Sequence, residues 1–291
     1  MSGATQFRGD SSFCRCITIN ISLIHSGPED LACNAKFGGH RSNTNSLLQN
    51  YQQIEGVTEV NSCWIDIANS ESDLFSGYLS LPPSGQGPGI VLVQEIWGVN
   101  EHIRAVADQY ALDGYVVLAP DIFWRFERRL DLSYDENGTA KAFEIYGKID
   151  TALATTDIVS ALIALRRLPE VTGKVATLGY CLGGQLAFRA AAAGQPDAAV
   201  AYYGGSIQQH LDVADKIAMP ILFHYAGLDA HISATAVTAV KNRFSGKSNA
   251  TFFDYPQADH GFNCWGRPTR YNQPASALAH GRTLVFLAQH L

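Results

Sequence analysis

The 291-residue chain has no basic excess: 21 Lys and Arg stand against 27 Asp and Glu, a formal net charge of −6. Its cations form no stripe beyond the short Arg125 to Arg129 cluster. Gripping nucleic acid takes clustered phosphate-neutralising cations, so no nucleic-acid partner is expected. Long apolar runs are also missing. None approaches the roughly 20 residues needed to cross a bilayer, and the first residues lack a charged stretch followed by a continuous apolar one. The expectation is a cytoplasmic protein with no membrane partner, a monomer or small homo-oligomer.

Cysteine is sparse and irregular, at positions 14, 16, 33, 63, 181 and 264. With 46% hydrophobic residues the chain can bury a sizeable core without disulfide staples, so free thiols are expected. Cys14, Cys16, Cys33 and His40 match no paired zinc-ligand spacing, and no metal or cofactor is expected. The absence of C-x-x-C argues against a thiol redox enzyme.

Residues 1–55 are rich in Ser, Asn and Gly and carry only one short apolar patch, ITINISLI at 17–24. This extension is expected to be poorly ordered, with the folded domain spanning 56–291. Beyond it, short β-branched runs alternate with helical stretches, the pattern of a mostly parallel twisted sheet with helices on both faces. Strands are expected at 77–81, 89–94, 115–121, 174–180, 198–204, 219–226 and 250–256. Helices are expected at 100–114, with Asn100 as N-cap and Gly114 as its stop, and at 150–168, 182–193, 233–244 and 275–290.

Within KVATLGYCLGGQLAF, a buried strand meets a helix at Cys181, with Gly179 and Gly183 two positions to either side and Gly184 beyond. A nucleophile elbow needs this arrangement, because small flanking residues let strand and helix approach while the nucleophile adopts a strained backbone. The following helix directs free N–H groups at the sulfur, so Cys181 is read as a nucleophile and the Leu182 N–H as an oxyanion donor.

A cysteine nucleophile needs a base, and the base an orienting acid. Asp229 ends the strand MPILFHYA and its short extension, while His260 lies beyond ATFFDYP in QADHGFN. Asp259, adjacent in sequence to His260, and Asp254, within a strand, are weaker orienters than Asp229. His224 reads as a core residue; His210, His280 and His290 read as surface. Glu95 ends another apolar strand, in VLVQEIWGVNEHI, where a carboxylate faces either the active-site crevice of an α/β sheet or the start of the next helix.

QEIWGVNEHIR, GYVVLAPDIFWR, GKVATLGYCLGGQLAF, AVAYYGG, FHYAGLD and HGF resemble, in order and spacing, the dienelactone hydrolase family of the α/β-hydrolase superfamily. The resemblance implies an α/β-hydrolase fold with an eight-stranded sheet. It also implies a Cys181–Asp229–His260 triad acting through a thioester acyl-enzyme, with Glu95 pairing with the thiol and the Ile96 and Leu182 N–H groups as oxyanion donors. The expected partner is a small-molecule lactone or ester.

The family's two substrate-carboxylate arginines fall here on Thr139 and Cys264, neither of which can pair with a carboxylate, so lactones or aryl esters without one are expected to be turned over at least as well as dienelactone unless Arg267, Arg270, Arg125 or Lys141 substitutes. Trp97, Phe123, Trp124, Phe143 and Tyr146 are candidates for an aromatic pocket lining; the pocket is assigned to Trp97, Arg125, Phe143, Tyr146 and Arg267. The competing reading is a catalytically inactive ligand-binding protein on the same shell, against which the complete nucleophile, acid and base argue.

Overall fold

The computed structural model describes residues 15–17, 60–69 and 73–291. Among the described residues, nine strands form one sheet: β1 (Arg15–Ile17), β2 (Val60–Ala68), β3 (Leu74–Leu81), β4 (Gly87–Val93), β5 (Val116–Pro120), β6 (Val171–Tyr180), β7 (Ala198–Tyr202), β8 (Ile221–Ala226) and β9 (Ala250–Tyr255). Their spatial order is β1-β2-β3-β5-β4-β6-β7-β8-β9. The pairings from β1 to β5 are antiparallel, and every pairing from β5 onward to β9 is parallel. The helices are α1 (Glu101–Leu112), α2 (Glu136–Tyr146), α3 (Thr151–Arg166), α4 (Leu182–Ala192), α5 (Ala234–Arg243) and α6 (Gln273–His290).

Every expected strand and helix is present, with ends shifted by a few residues. One further strand and one further α-helix lie within 56–291, with two short 3-10 turns at Ile207–Gln209 and Leu211–Lys216. Strand β2, VNSCWIDIA, has mixed polarity because it packs against β3 near the antiparallel end of the sheet, and so shows neither a continuous apolar run nor clean alternation. Helix α2 begins ENGT, which reads as a breaker; Asp135 caps it by accepting from Gly138 N at 2.7 Å. In the N-terminal extension, Arg15–Ile17 pairs with β2 as an added strand. The rest of 1–55, including most of ITINISLI and the boundary at 55, lies outside the described residues.

The parallel strands alternate their side chains between two cores. Ile90 and Leu92 of β4 join Ile103, Val106 and Tyr110 of α1, whereas Val91 and Val93 join Ile158, Leu162 and Leu165 of α3. Each of these side chains is essentially sealed from solvent and contributes roughly 1.5–3 kcal/mol. Asn100 caps α1 by accepting from Ile103 N, and Gly114 follows its end at φ +102°.

The order of the central strands fixes where chemistry can occur. The chain passes from β4 outward to β5, then back across to β6 on β4's other side, so the crossovers diverge and open a crevice at the strands' C-terminal ends. Val93 and Gly179 are register partners there, which puts the residues after β4 beside the elbow after β6. Among the described residues, no helix is long and apolar enough to cross a membrane.

Candidate active site

Cys181 occupies the turn between β6 and α4 with φ +55° and ψ −115°, a conformation that costs a non-glycine residue about 1–3 kcal/mol. The turn is held from both sides: Cys181 N donates to Tyr202 O at 3.1 Å, and Gly184 N donates to Cys181 O at 3.0 Å. The glycines are needed for close approach. A Cβ on Gly179 would lie 2.0 Å from Gly183 O, and one on Gly183 would lie 2.2 Å from Val93 O. Leu182 is the first residue of α4, where an N–H has no intrahelical acceptor, and Ile96 follows Glu95 just beyond β4.

Asp229 and His260 meet across the ends of β8 and β9. Gly227 N donates to Tyr255 O at 2.8 Å and Leu228 N to Ala258 O at 2.9 Å, drawing the two loops together. The His260 Nδ1 to Asp229 Oδ2 distance is 2.8 Å, and the other Asp229 oxygen accepts from His231 N and Ile232 N. The aspartate side chain is therefore fixed and almost fully buried.

On its other side His260 faces Cys181. Burial alone lowers the imidazole's pKa, but the sulfur's charge and the Asp229 bond outweigh it and raise the pKa to about 10. Asp259 is otherwise engaged, accepting from His260 N and pairing with Arg270; Asp254 pairs with Lys241. His224 is a core residue, bonded to Tyr255 and Thr283, while His210, His280 and His290 lie half-buried near the surface.

Glu95 is buried to 1% exposure, and neither carboxylate oxygen has a hydrogen-bond partner among the described residues. The expected pairing of Glu95 with the Cys181 thiol is therefore not the arrangement here. The carboxylate lies instead among Arg267, His260, Cys264 and Tyr134, and burial raises its pKa despite the two nearby cationic groups. His102, from the first turn of α1, shares this cluster: a ligating atom of Glu95, one of His102 and one of Cys264 all lie within 4.8 Å of one another. The sequence reading passed over His102, Tyr134 and Tyr203. The signal for His102 was its place in the helix start seven residues beyond Glu95. Tyr134 comes from a loop and Tyr203 from the end of β7, and no local pattern marks them. The Tyr203 ring lies 5.1 Å from His260.

Of the expected pocket residues, the structure brings two together. The Arg267 guanidinium lies 4.6 Å from the Trp97 ring centre, and Trp97 Nε1 donates to Thr139 Oγ1 at 3.4 Å. The assignment of Arg125 needs correction: it is paired with the buried Asp157 carboxylate and stacked on Trp124, so its charge is already used. Phe143 and Tyr146 also differ from expectation, standing 53% and 37% exposed on α2. Of the other cations, Arg270 pairs with Asp259 and Lys141 lies 3.7 Å from Glu144. Phe123 is plain core, and Trp124 donates to Asp157.

Cys181, Asp229, His260 and Glu95 thus come from four different strand ends along one edge of a mostly parallel sheet, with the cysteine on a strained strand-to-helix turn. This is the architecture of an α/β hydrolase. Sequence comparison narrows the class: the profile of the Dienelactone hydrolase family matches residues 75–291. The chain belongs to the dienelactone hydrolase family and is a carboxylic ester hydrolase. It is 32% identical over 225 residues to a carboxymethylenebutenolidase of Pseudomonas putida, covering 77% of this chain and 95% of that protein. It is 29% identical to carboxymethylenebutenolidase 1 of Cupriavidus pinatubonensis, with the same shares covered. A crystal structure assigned as a dienelactone hydrolase, from Klebsiella pneumoniae, superposes with a TM-score of 0.70 at 26% identity, covering 79% of this chain and 99% of that one.

Proposed function

We propose that this protein hydrolyses small lactones or esters through a thioester on Cys181, with His260 and Asp229 completing a triad within the domain that begins near residue 56. The observation that carries this reading is the strained Cys181 facing an imidazole whose Nδ1 is held 2.8 Å from Asp229. The Cys181 sulfur attacks the substrate carbonyl, and the oxyanion that develops is met by the Ile96 and Leu182 N–H groups. The carbon–oxygen bond to the leaving group then breaks. The proton on His260 goes to the departing alkoxide, which in a lactone remains tethered to the acyl group.

The environment of His260 supports both of its roles. While the sulfur is charged, the imidazole is held protonated, as a general acid requires. Once the sulfur is acylated that charge is gone, and burial then favours the neutral ring. Neutral His260 can take a proton from water, whose oxygen attacks the thioester and releases the carboxylic acid. Asp229 keeps the ring in the tautomer that presents its other nitrogen to the sulfur.

Substrate choice follows from Trp97 and Arg267. With the family's two arginine positions occupied by Thr139 and Cys264, the proximity of Arg267 to the Trp97 ring supports a role for it in meeting a substrate carboxylate. The test of the mechanism is mass spectrometry of enzyme quenched during turnover of an aryl ester. An acyl adduct is expected on Cys181, and Cys181→Ala should be folded, inactive and unlabelled. Activity near wild type in that variant would remove Cys181 as the nucleophile.

A further inference from the structure

Three buried side chains beside the triad bring their ligating atoms towards one point. Glu95 is 1%, His102 5% and Cys264 0% exposed. Both Glu95 oxygens and His102 Nδ1 lack a hydrogen-bond partner among the described residues. Polar groups buried in this way are normally satisfied, so their convergence on one point calls for a ligand. The three ligating atoms lie within 4.8 Å of one another.

We propose that Glu95, His102 and Cys264 form a binding site for a thiophilic divalent cation of the zinc class. The donor set of one thiolate, one imidazole and one carboxylate suits Zn²⁺ rather than Mg²⁺ or Ca²⁺, which take oxygen ligands. Donors bound to Zn²⁺ at about 2.0–2.3 Å sit roughly 3.3–3.8 Å apart, so the site closes by movements of about 1 Å or less per side chain. The residues come from three separate segments: the end of β4, the first turn of α1 and the loop after His260.

The surroundings fit an ion held by these donors. The His102 ring packs edge-on against Trp265 at 4.4 Å and Tyr134 at 6.4 Å, which fixes its plane. Tyr134 also lies beside Cys264. Arg267 provides a positive charge near Glu95 but no hydrogen bond to it, and is stacked on Trp97. A divalent ion would take over as the counter-charge of Glu95. Binding transfers the Cys264 thiol proton to solvent as the metal–sulfur bond forms. Three protein ligands leave a fourth position for water or an anion.

The site stands apart from the proposed hydrolysis. The experiment titrates Co²⁺, a spectroscopic stand-in for Zn²⁺, into the full-length Cys181→Ala protein, which lacks the other thiol–imidazole pair. A thiolate-to-cobalt charge-transfer band at one equivalent, displaced by Zn²⁺, is expected. Adding Cys264→Ser should abolish the band, and adding His102→Gln should weaken binding at least ~10-fold. Circular dichroism identifies any variant that fails to fold, and the other variant then decides. No band in Cys181→Ala, or a band that survives Cys264→Ser, overturns the site.

Discussion

Gly183→Ala and Gly281→Ala add the same methyl group to two helices, and the structure gives them opposite outcomes. At Gly183, in the first turn of α4, the new Cβ would lie 2.2 Å from Val93 O and 2.6 Å from Gln94 O. Both atoms are backbone, so no side chain can turn away. Relief requires the start of α4 and the end of β4 to part by about 1 Å to reach ordinary contact. Overpacking of this kind costs about 1–3 kcal/mol, and the upper end is expected because two central elements must move. The same displacement separates Leu182 from Ile96, the pair assigned to the oxyanion, and a shift of that size should lower kcat/KM by about 100-fold. At Gly281, within α6, no atom lies within 4 Å of the added Cβ. There alanine should stabilise the helix by ~0.5–1 kcal/mol and leave turnover unchanged. Urea unfolding and aryl-ester hydrolysis of the two variants measure both quantities. If Gly183→Ala stayed within ~0.5 kcal/mol of wild type and kept full activity, the close approach of β4 and α4 would not be what builds the site.

Arg267→Ala is expected to lower kcat/KM for carboxylate-bearing lactones ~10–100-fold, the loss of one charged hydrogen bond, while neutral aryl esters change little; equal loss on both substrates would refute a carboxylate-binding role. Stability should fall in mild acid because burial lowers the His224 pKa from 6.5 to about 3 and that of His102 to about 4. Below 6.5 the unfolded chain takes up protons that the folded chain refuses, so this contribution is complete above 6.5 and is lost as pH falls towards the folded values. The loss is about 2 kcal/mol per histidine by pH 5. His260 has the opposite sign: with its folded pKa raised to about 10, its contribution is full below 6.5 and is lost as pH rises through 10. His224→Gln should therefore shrink the stability difference between pH 7 and pH 5 by ~2 kcal/mol, as read by urea unfolding; an unchanged difference would mean that His224 is protonated in the folded protein.

The candidate site was legible in the sequence where it depends on local pattern. The Gly179–Cys181–Gly183 spacing is a steric requirement written within five residues, and the strand runs before Glu95, Asp229 and His260 set each at a strand's C-terminal end. Strand β2 and helix α2 were not legible: the polarity of β2 follows from its antiparallel partners near the sheet's end, and the opening Asn-Gly of α2 is tolerated because Asp135 caps it and Gly138 packs on Ser133.

Short-range sterics and hydrophobic periodicity are properties of neighbouring residues, so the sequence by itself determined the order of strands and helices, the elbow at Cys181 and the chain order of Cys181, Asp229 and His260. Only the tertiary structure decided which charges meet. Arg125 and Arg267 are both plausible pocket cations on paper, but Arg125 is taken by Asp157, over thirty positions away in the chain, while Arg267 is folded over Trp97. Asp229 and His260 likewise meet only because the ends of β8 and β9 are hydrogen-bonded together. The same packing brings Glu95 together with His102 and Cys264, residues from two other segments. Such pairings depend on the packing of distant loops at the sheet edge, and no spacing along the chain records them.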